Sequence, residues 1–153
     1  MTIEGDFSPP AGRFAIIAAR FNAVVVDRLV DGATEGLKRH GVAEANIDLV
    51  RVPGSYEIPL IAQKLGTSGK YVAVICLGAV VRGDTDHYDY VAGGAANGIA
   101  NAALNTGVPI IFGILTCETM EQAMNRAGGK AGNKGFEAAV TAIEMANLLK
   151  KLG

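Results

Sequence analysis

The chain has 153 residues, 50% of them hydrophobic and 19% charged. That length fits one domain whose folding buries roughly two-thirds of the unfolded chain's surface. Fourteen basic and 15 acidic residues leave a formal charge of −1 with no basic block. This argues against a general affinity for nucleic acid or anionic membrane and makes any anion site a local one. No basic start leads into an apolar leader and no uninterrupted apolar span approaches ~20 residues, so the sequence reads as soluble, unexported and cytoplasmic.

Residues 1–12 contain Pro9-Pro10 and no helical period, and are expected to form an extended arm or a mobile tail ahead of a single domain over 13–153. Arg13 to Ala19 reads as the first strand, with Arg20-Phe21-Asn22 at its carboxyl end. From Val24 to His40 apolar residues recur at Val26, Leu29, Val30, Ala33 and Leu37, a helical stripe that Gly41 stops. Ile47 to Val52 is a second strand, closed by Pro53-Gly54-Ser55-Tyr56-Glu57, and Ile58 to Leu65 a helix that tolerates Pro59 in its first turn.

An apolar run starting at Tyr71 is the third strand. It breaks into the polar segment Arg82 to His87 before a helix that starts near Tyr90 and runs to about Leu104. Gly93, Gly94, Ala95, Ala96, Gly98 and Ala100 make that helix thin, which suits close packing and costs helix propensity. Val108 to Leu115 is the fourth strand, ended by Thr116. Met120 to Ala127 is a short helix, 128–135 a loop, and Phe136 to Leu149 the last helix. Strands alternating with helices predict a three-layer α/β/α sandwich, flavodoxin-like, with a central four-stranded parallel sheet and helices on both faces. Cys76 and Cys117 have no partner at metal-site or disulfide spacing and read as reduced packing thiols.

In such a sheet the ligand crevice lies beyond the carboxyl ends of the strands, and helix N-termini there favour anions. The four strand ends would gather Phe21 and Asn22, Ser55 to Glu57, Arg82 to His87, and Phe112 to Thr116 on one edge. Each group has a plain alternative. Phe21 can stack on a planar ring or staple the first helix. Ser55 and Glu57 can bind a polar ligand or cap a helix. Thr85 suits a phosphate oxygen or an N-cap. His87 at a helix start is disfavoured as a cation, which leaves neutral imidazole available as a base unless a bound phosphate reverses the preference. Asp84 and Asp86 would repel phosphate and are expected to point outward. Arg126 can reach a phosphate as a planar fork or serve as a surface cation.

Taken in order, Arg20-Phe21-Asn22, Val52 to Pro59, Gly78 to Val91, Phe112 to Thr116, Glu121-Gln122-Ala123, Arg126-Ala127-Gly128 and Asn133-Lys134-Gly135 resemble the lumazine synthase family. The likeness spans Arg13 to Leu149. It implies condensation of 5-amino-6-(D-ribitylamino)uracil with L-3,4-dihydroxy-2-butanone 4-phosphate in riboflavin biosynthesis, releasing phosphate and water, with no cofactor and no metal. It implies His87 as proton shuttle. Phe21, Asn22, Ser55, Tyr56, Glu57, Val80, Val81 and Phe112 would hold the ribitylaminouracil, and Gly83, Asp84, Thr85 and Arg126 the phosphate. Lys134 is a possible further member, and Phe112 and Arg126 typically come from a neighbouring subunit.

The family forms homopentamers, some of which build sixty-subunit icosahedral capsids and can enclose riboflavin synthase. Surplus apolar content, with mean hydropathy +0.28, fits an oligomer, and the 128–135 loop favours the capsid. The rival readings are a non-enzymatic flavin- or nucleotide-binding module, a shell that has lost catalysis, and a receiver-type signalling domain. The first would place a hydroxyl- or glycine-rich loop after the first strand, where Arg20-Phe21-Asn22 stands. Retention of Thr85, His87 and Arg126 argues against the second, and no acidic cluster ends the first strand to support the third.

Overall fold

The computed structural model describes residues 1–153. Four parallel strands, β1 (Arg13–Ala19), β2 (Ile47–Val52), β3 (Tyr71–Val81) and β4 (Ile110–Cys117), form one sheet in the order β2-β1-β3-β4. Alternation along each strand sends side chains to opposite faces. Phe14, Ile16, Ala18, Ile75 and Leu77 pack with α1 (Ala23–Arg39) and α5 (Lys134–Leu152) on one side. Ala15, Ile17, Ala19, Val74 and Cys76 pack with α2 (Ile58–Thr67) and α3 (His87–Thr106) on the other. The result is the expected flavodoxin-like α/β/α sandwich. Both faces are covered, which is why β1 and β3 are nearly continuous apolar runs.

The chain reverses direction across the sheet after β2, so β1 and β3 are neighbours although α1, β2 and α2 lie between them in sequence. Open α/β sheets form their ligand crevice at this kind of switch point. The thin helix α3 serves a close approach: a Cβ at Gly98 would stand 2.6 Å from Cβ and Cγ of Pro59, so the glycine lets the first turn of α2 settle against α3. α3 stops at Gly107, whose φ of 71° is left-handed.

Three boundaries differ from the sequence expectation. α3 begins at His87, because Asp89 and Tyr90 N–H already donate to the Asp86 carbonyl (3.1 and 3.4 Å). β4 runs to Cys117, pairing with Val81, so Thr116 lies inside the strand. The 128–135 loop is a small antiparallel hairpin, β5 (Ala127–Gly129) with β6 (Gly132–Asn133), preceded by α4 (Met120–Asn125) and followed at once by α5. Asn133 ends the hairpin by accepting N–H bonds from Gly135 and Phe136, the N-cap that starts α5 early. Residues 1–12 carry no helix or strand and lie along α5. There the half-exposed arm is held by Asn147 Nδ2, which donates to the Asp6 and Ser8 carbonyls (2.8 and 2.9 Å), and by Lys151 Nζ on the Glu4 carbonyl (2.8 Å).

Candidate active site at the switch point

A cavity of 490 Å³ opens where β1, β2 and β3 end, within the usual size range for small-molecule sites. It is lined by the first three candidate turns together: Phe21 and Asn22 after β1, Ser55, Tyr56 and Glu57 after β2, and Val80, Val81, Gly83, Thr85 and His87 from the end of β3 to the start of α3.

The structure decides several of the open alternatives. Phe21 is 71% exposed, so its ring does not staple α1 and stands open at the cavity wall. Ser55 caps no helix: it opens a 3₁₀ turn over Ser55–Glu57 and is 5% exposed. Its hydroxyl lies against Gly78, where any Cβ would overlap it. Glu57 occupies the N-cap position of α2 but makes no side-chain capping bond, which leaves its carboxylate at the cavity. Tyr56 rests its ring on Gly94 of α3. Thr85 is not the N-cap of α3, a place taken by Asp86. Its Oγ1 accepts the His87 N–H at 3.3 Å in a local turn that presents the imidazole at the first helical position.

Arg82 is turned away from the anion position that the sequence suggested. Its Nε donates to Glu118 (3.2 Å), its Nη2 pairs with Asp89 (3.5 Å), and its guanidinium sits 4.3 Å from the Tyr88 ring centre. The hydrogen bond from Glu118, helped by the charges of Glu118 and Asp89, pushes the already high Arg82 pKa further up. Asp84 is exposed and is not part of the cavity wall.

Phe112 is not at the carboxyl edge. It sits midway along β4 opposite Cys76, and with Thr116, Arg126, Lys134 and Glu137 it surrounds a separate 420 Å³ depression. Arg126 Nη1 there lies 3.6 Å from Cys117 Sγ. One chain therefore brings Phe21, Asn22, Ser55, Tyr56, Glu57, Val80, Val81, Gly83, Thr85 and His87 together and leaves Phe112, Arg126 and Lys134 in a different place.

Tyr88 and Val91 also line the cavity and were not singled out from sequence. Starting α3 at His87 would have found them, because 87, 88 and 91 share one face at helical spacing. Cys76, fully buried in apolar surroundings, has its thiol pKa pushed well up and is unreactive, as its strand position suggested.

This arrangement defines a flavodoxin-like α/β protein with a small-molecule pocket at the topological switch point of its sheet, where an exposed ring, a buried hydroxyl, a carboxylate and a helix-start histidine converge. Comparison with known sequences is specific: the family described as 6,7-dimethyl-8-ribityllumazine synthase matches residues 11–150. The chain belongs to that family. Proteins named 6,7-dimethyl-8-ribityllumazine synthase from Deinococcus radiodurans and Deinococcus deserti are each 59% identical over 140 residues, covering 92% of this chain and 90% of theirs.

Proposed function

We propose that the chain is a transferase that forms 6,7-dimethyl-8-ribityllumazine from 5-amino-6-(D-ribitylamino)uracil and L-3,4-dihydroxy-2-butanone 4-phosphate. The observation that carries the reading is the single cavity into which β1, β2 and β3 deliver Phe21, Ser55 to Glu57, and Val80 to His87. It has an aromatic wall for a pyrimidine, polar groups for a ribityl chain, and main-chain groups with a histidine at the start of a helix.

In this reading the pyrimidine lies against Phe21, and the ribityl hydroxyls meet Ser55, Tyr56 and Glu57. The phosphate sits at Gly83 to Thr85, where the free N–H groups and dipole of α3 favour an anion. The 5-amino group attacks the ketone and water leaves to give an imine. Phosphate is then lost from the neighbouring carbon, and the ribitylamino nitrogen closes the ring with loss of a second water. His87 accepts and returns protons in these steps. Most of the acceleration comes from holding two substrates in register, a contribution that reaches about 7–11 kcal/mol in favourable cases. The chemistry needs neither metal nor organic cofactor.

Arg126, Lys134 and Phe112 complete the site from a neighbouring copy, because within one chain they surround a different depression. A homopentamer, extending to a capsid, supplies that neighbour. Mixing the two substrates with the protein and following product absorbance and fluorescence tests the activity. Co-assembly of His87→Ala and Arg126→Ala subunits tests the sharing: activity above either variant alone is expected, and none would sink it. Sedimentation showing only a five-subunit species across buffers would dismiss the capsid. No product above the uncatalysed background from folded, assembled protein would dismiss the synthase.

A further inference from the structure

We propose that Asn22 is a positioning residue, whose side chain replaces a missing strand donor and so fixes where the open edge of β3 begins; the proposal rests on the synthase reading above. β1 pairs with β3 only as far as Ala18 opposite Leu77, whereas β3 continues alongside β4 to Val81 opposite Cys117. The Arg82 N–H donates to the Cys117 carbonyl at 2.9 Å, so at this end of β3 the main-chain groups of even-numbered residues face β4. Those of Ala79 and Val81 consequently face the side that β1 has vacated, because main-chain direction alternates along a strand.

Had β1 run on, the Phe21 N–H would have been the ladder donor to the Ala79 carbonyl. That N–H instead donates to the Pro53 carbonyl beyond β2, at 3.0 Å. Ala79 is only 4% exposed, and an orphaned carbonyl there would be costly. Asn22 Nδ2 supplies the donor at 2.8 Å. The carboxamide reaches it because Asn22 is left-handed, with φ 62° and ψ 42°, the one non-glycine residue of the chain with positive φ. Asparagine tolerates that conformation better than most residues. The same turn points the Asn22 carbonyl at the Val25 and Val26 N–H groups (3.0 Å each), starting α1.

Two consequences follow for the pocket. With Ala79 O occupied, Val81 offers the first unpaired N–H and C=O on the edge facing the cavity, which gives a planar ring with its own donors and acceptors one register and not two. Phe21 is pinned on both sides, by its own N–H on Pro53 and by the next residue on Ala79, so its open ring is held in place without contacts of its own. Asn22 thereby acts on the pyrimidine through Phe21 and β3, in place of the direct ligand contact that the family resemblance implied.

Asn22→Gly and Asn22→Asp both keep a residue that accepts left-handed φ but remove the donor, while Asn22→Ala removes both. Steady-state kinetics with each substrate varied at saturating concentration of the other is the test, with thermal melts alongside. In the Gly and Asp variants the KM for the ribitylaminouracil should rise about tenfold, the scale of one lost bond to a buried carbonyl. The KM for the butanone phosphate should stay within about twofold, and melting should fall furthest in the Ala variant. Equal movement of both KM values, or movement of neither, in the Gly and Asp variants overturns the assignment. Wild-type protein that forms no lumazine overturns the synthase reading and this one with it.

Discussion

The three glycines of α3 give a test in which the same substitution should change sign with position. Gly→Ala in a helix interior gains about 0.5–1 kcal/mol from reduced backbone entropy, everything else being equal. At Gly93 nothing lies within 4 Å of the added Cβ, so the gain should appear in full. For a chain of this size it raises the melting midpoint by about 1–4 °C. At Gly98 the added carbon would stand 2.6 Å from both Cβ and Cγ of Pro59, a rigid ring in the first turn of α2. Overpacking of that kind costs about 1–3 kcal/mol, which outweighs the helix gain and lowers the midpoint.

Gly94 is the instructive case. Its Cβ would meet Tyr56 Cε2 at 2.6 Å and Cδ2 at 3.0 Å, but Tyr56 is 60% exposed and its ring can swing away. Stability should therefore hold or rise slightly while the ring leaves its place in the cavity wall, and the KM for the ribitylaminouracil should climb several-fold. Melting curves followed by circular dichroism, with kinetics on the same samples, read all three. Gly98→Ala melting at or above Gly93→Ala would refute the packing argument. A loss at Gly93 would refute the premise of open space there. Gly94→Ala with an unchanged KM would remove Tyr56 from the site.

His87→Ala is expected to slow turnover about 10²–10⁴-fold without abolishing it, since positioning of the two substrates survives the change; complete inactivity in folded, assembled protein would contradict this. Prolonged dialysis against a metal chelator should leave turnover unchanged, and a loss restored by a divalent ion would show a metal requirement. Asp48 accepts from Tyr71 Oη (2.7 Å) and pairs with Arg13, and the Tyr71 bond first, Arg13 second, holds its carboxyl below the usual range. The folded state thus favours the ionised form, whose stabilisation is complete above the ordinary carboxylate pKa of about 4 and is lost as pH falls through the lower folded value. Asp48→Asn should flatten the acid limb of the stability curve, and Tyr71→Phe should move the Asp48 carboxyl back upward in an NMR titration; an unmoved Asp48 would refute the coupling.

Much of this architecture was open to reading from residue pattern because parallel strands buried on both faces are continuous apolar runs. Arg13 to Ala19 and the run from Tyr71 are such segments, and each ends at an abrupt polar turn. What escaped was set by contacts distant in sequence. The start of α3 at His87 depends on an Asp86 carbonyl that no side chain advertises. The 127–133 hairpin is too short for any periodic signal. Phe112 seemed to belong with the strand ends because β4 looked shorter than it is, and only its pairing with Cys76 places it mid-sheet. The commitment of Arg82 to Glu118, 36 residues away, is likewise invisible in a local motif that reads as phosphate binding.

That commitment bears on how the phosphate loop can work at all. Around it stand Asp84, Asp86, Asp89 and Glu118, against Arg82 as the nearby cation, and Arg82 is already paired with two of the four. Each carboxylate about 4 Å from a phosphate charge opposes binding by roughly 1 kcal/mol in water, and more where solvent is excluded. Helix N–H groups and the dipole of α3 offset only part of this, typically about 0.3–1 kcal/mol for a surface charge. A single chain thus holds the shape of an anion site without its counter-charge. Arg126 and Lys134 carry that charge beside Phe112, around the other depression. A site divided between copies reconciles the two halves: the loop of one chain supplies directional N–H groups, and the second chain supplies a guanidinium that its own carboxylates have not claimed. It follows that Arg126→Ala should weaken the butanone phosphate far more than the pyrimidine, and that the effect should shrink as ionic strength rises and screens the charge.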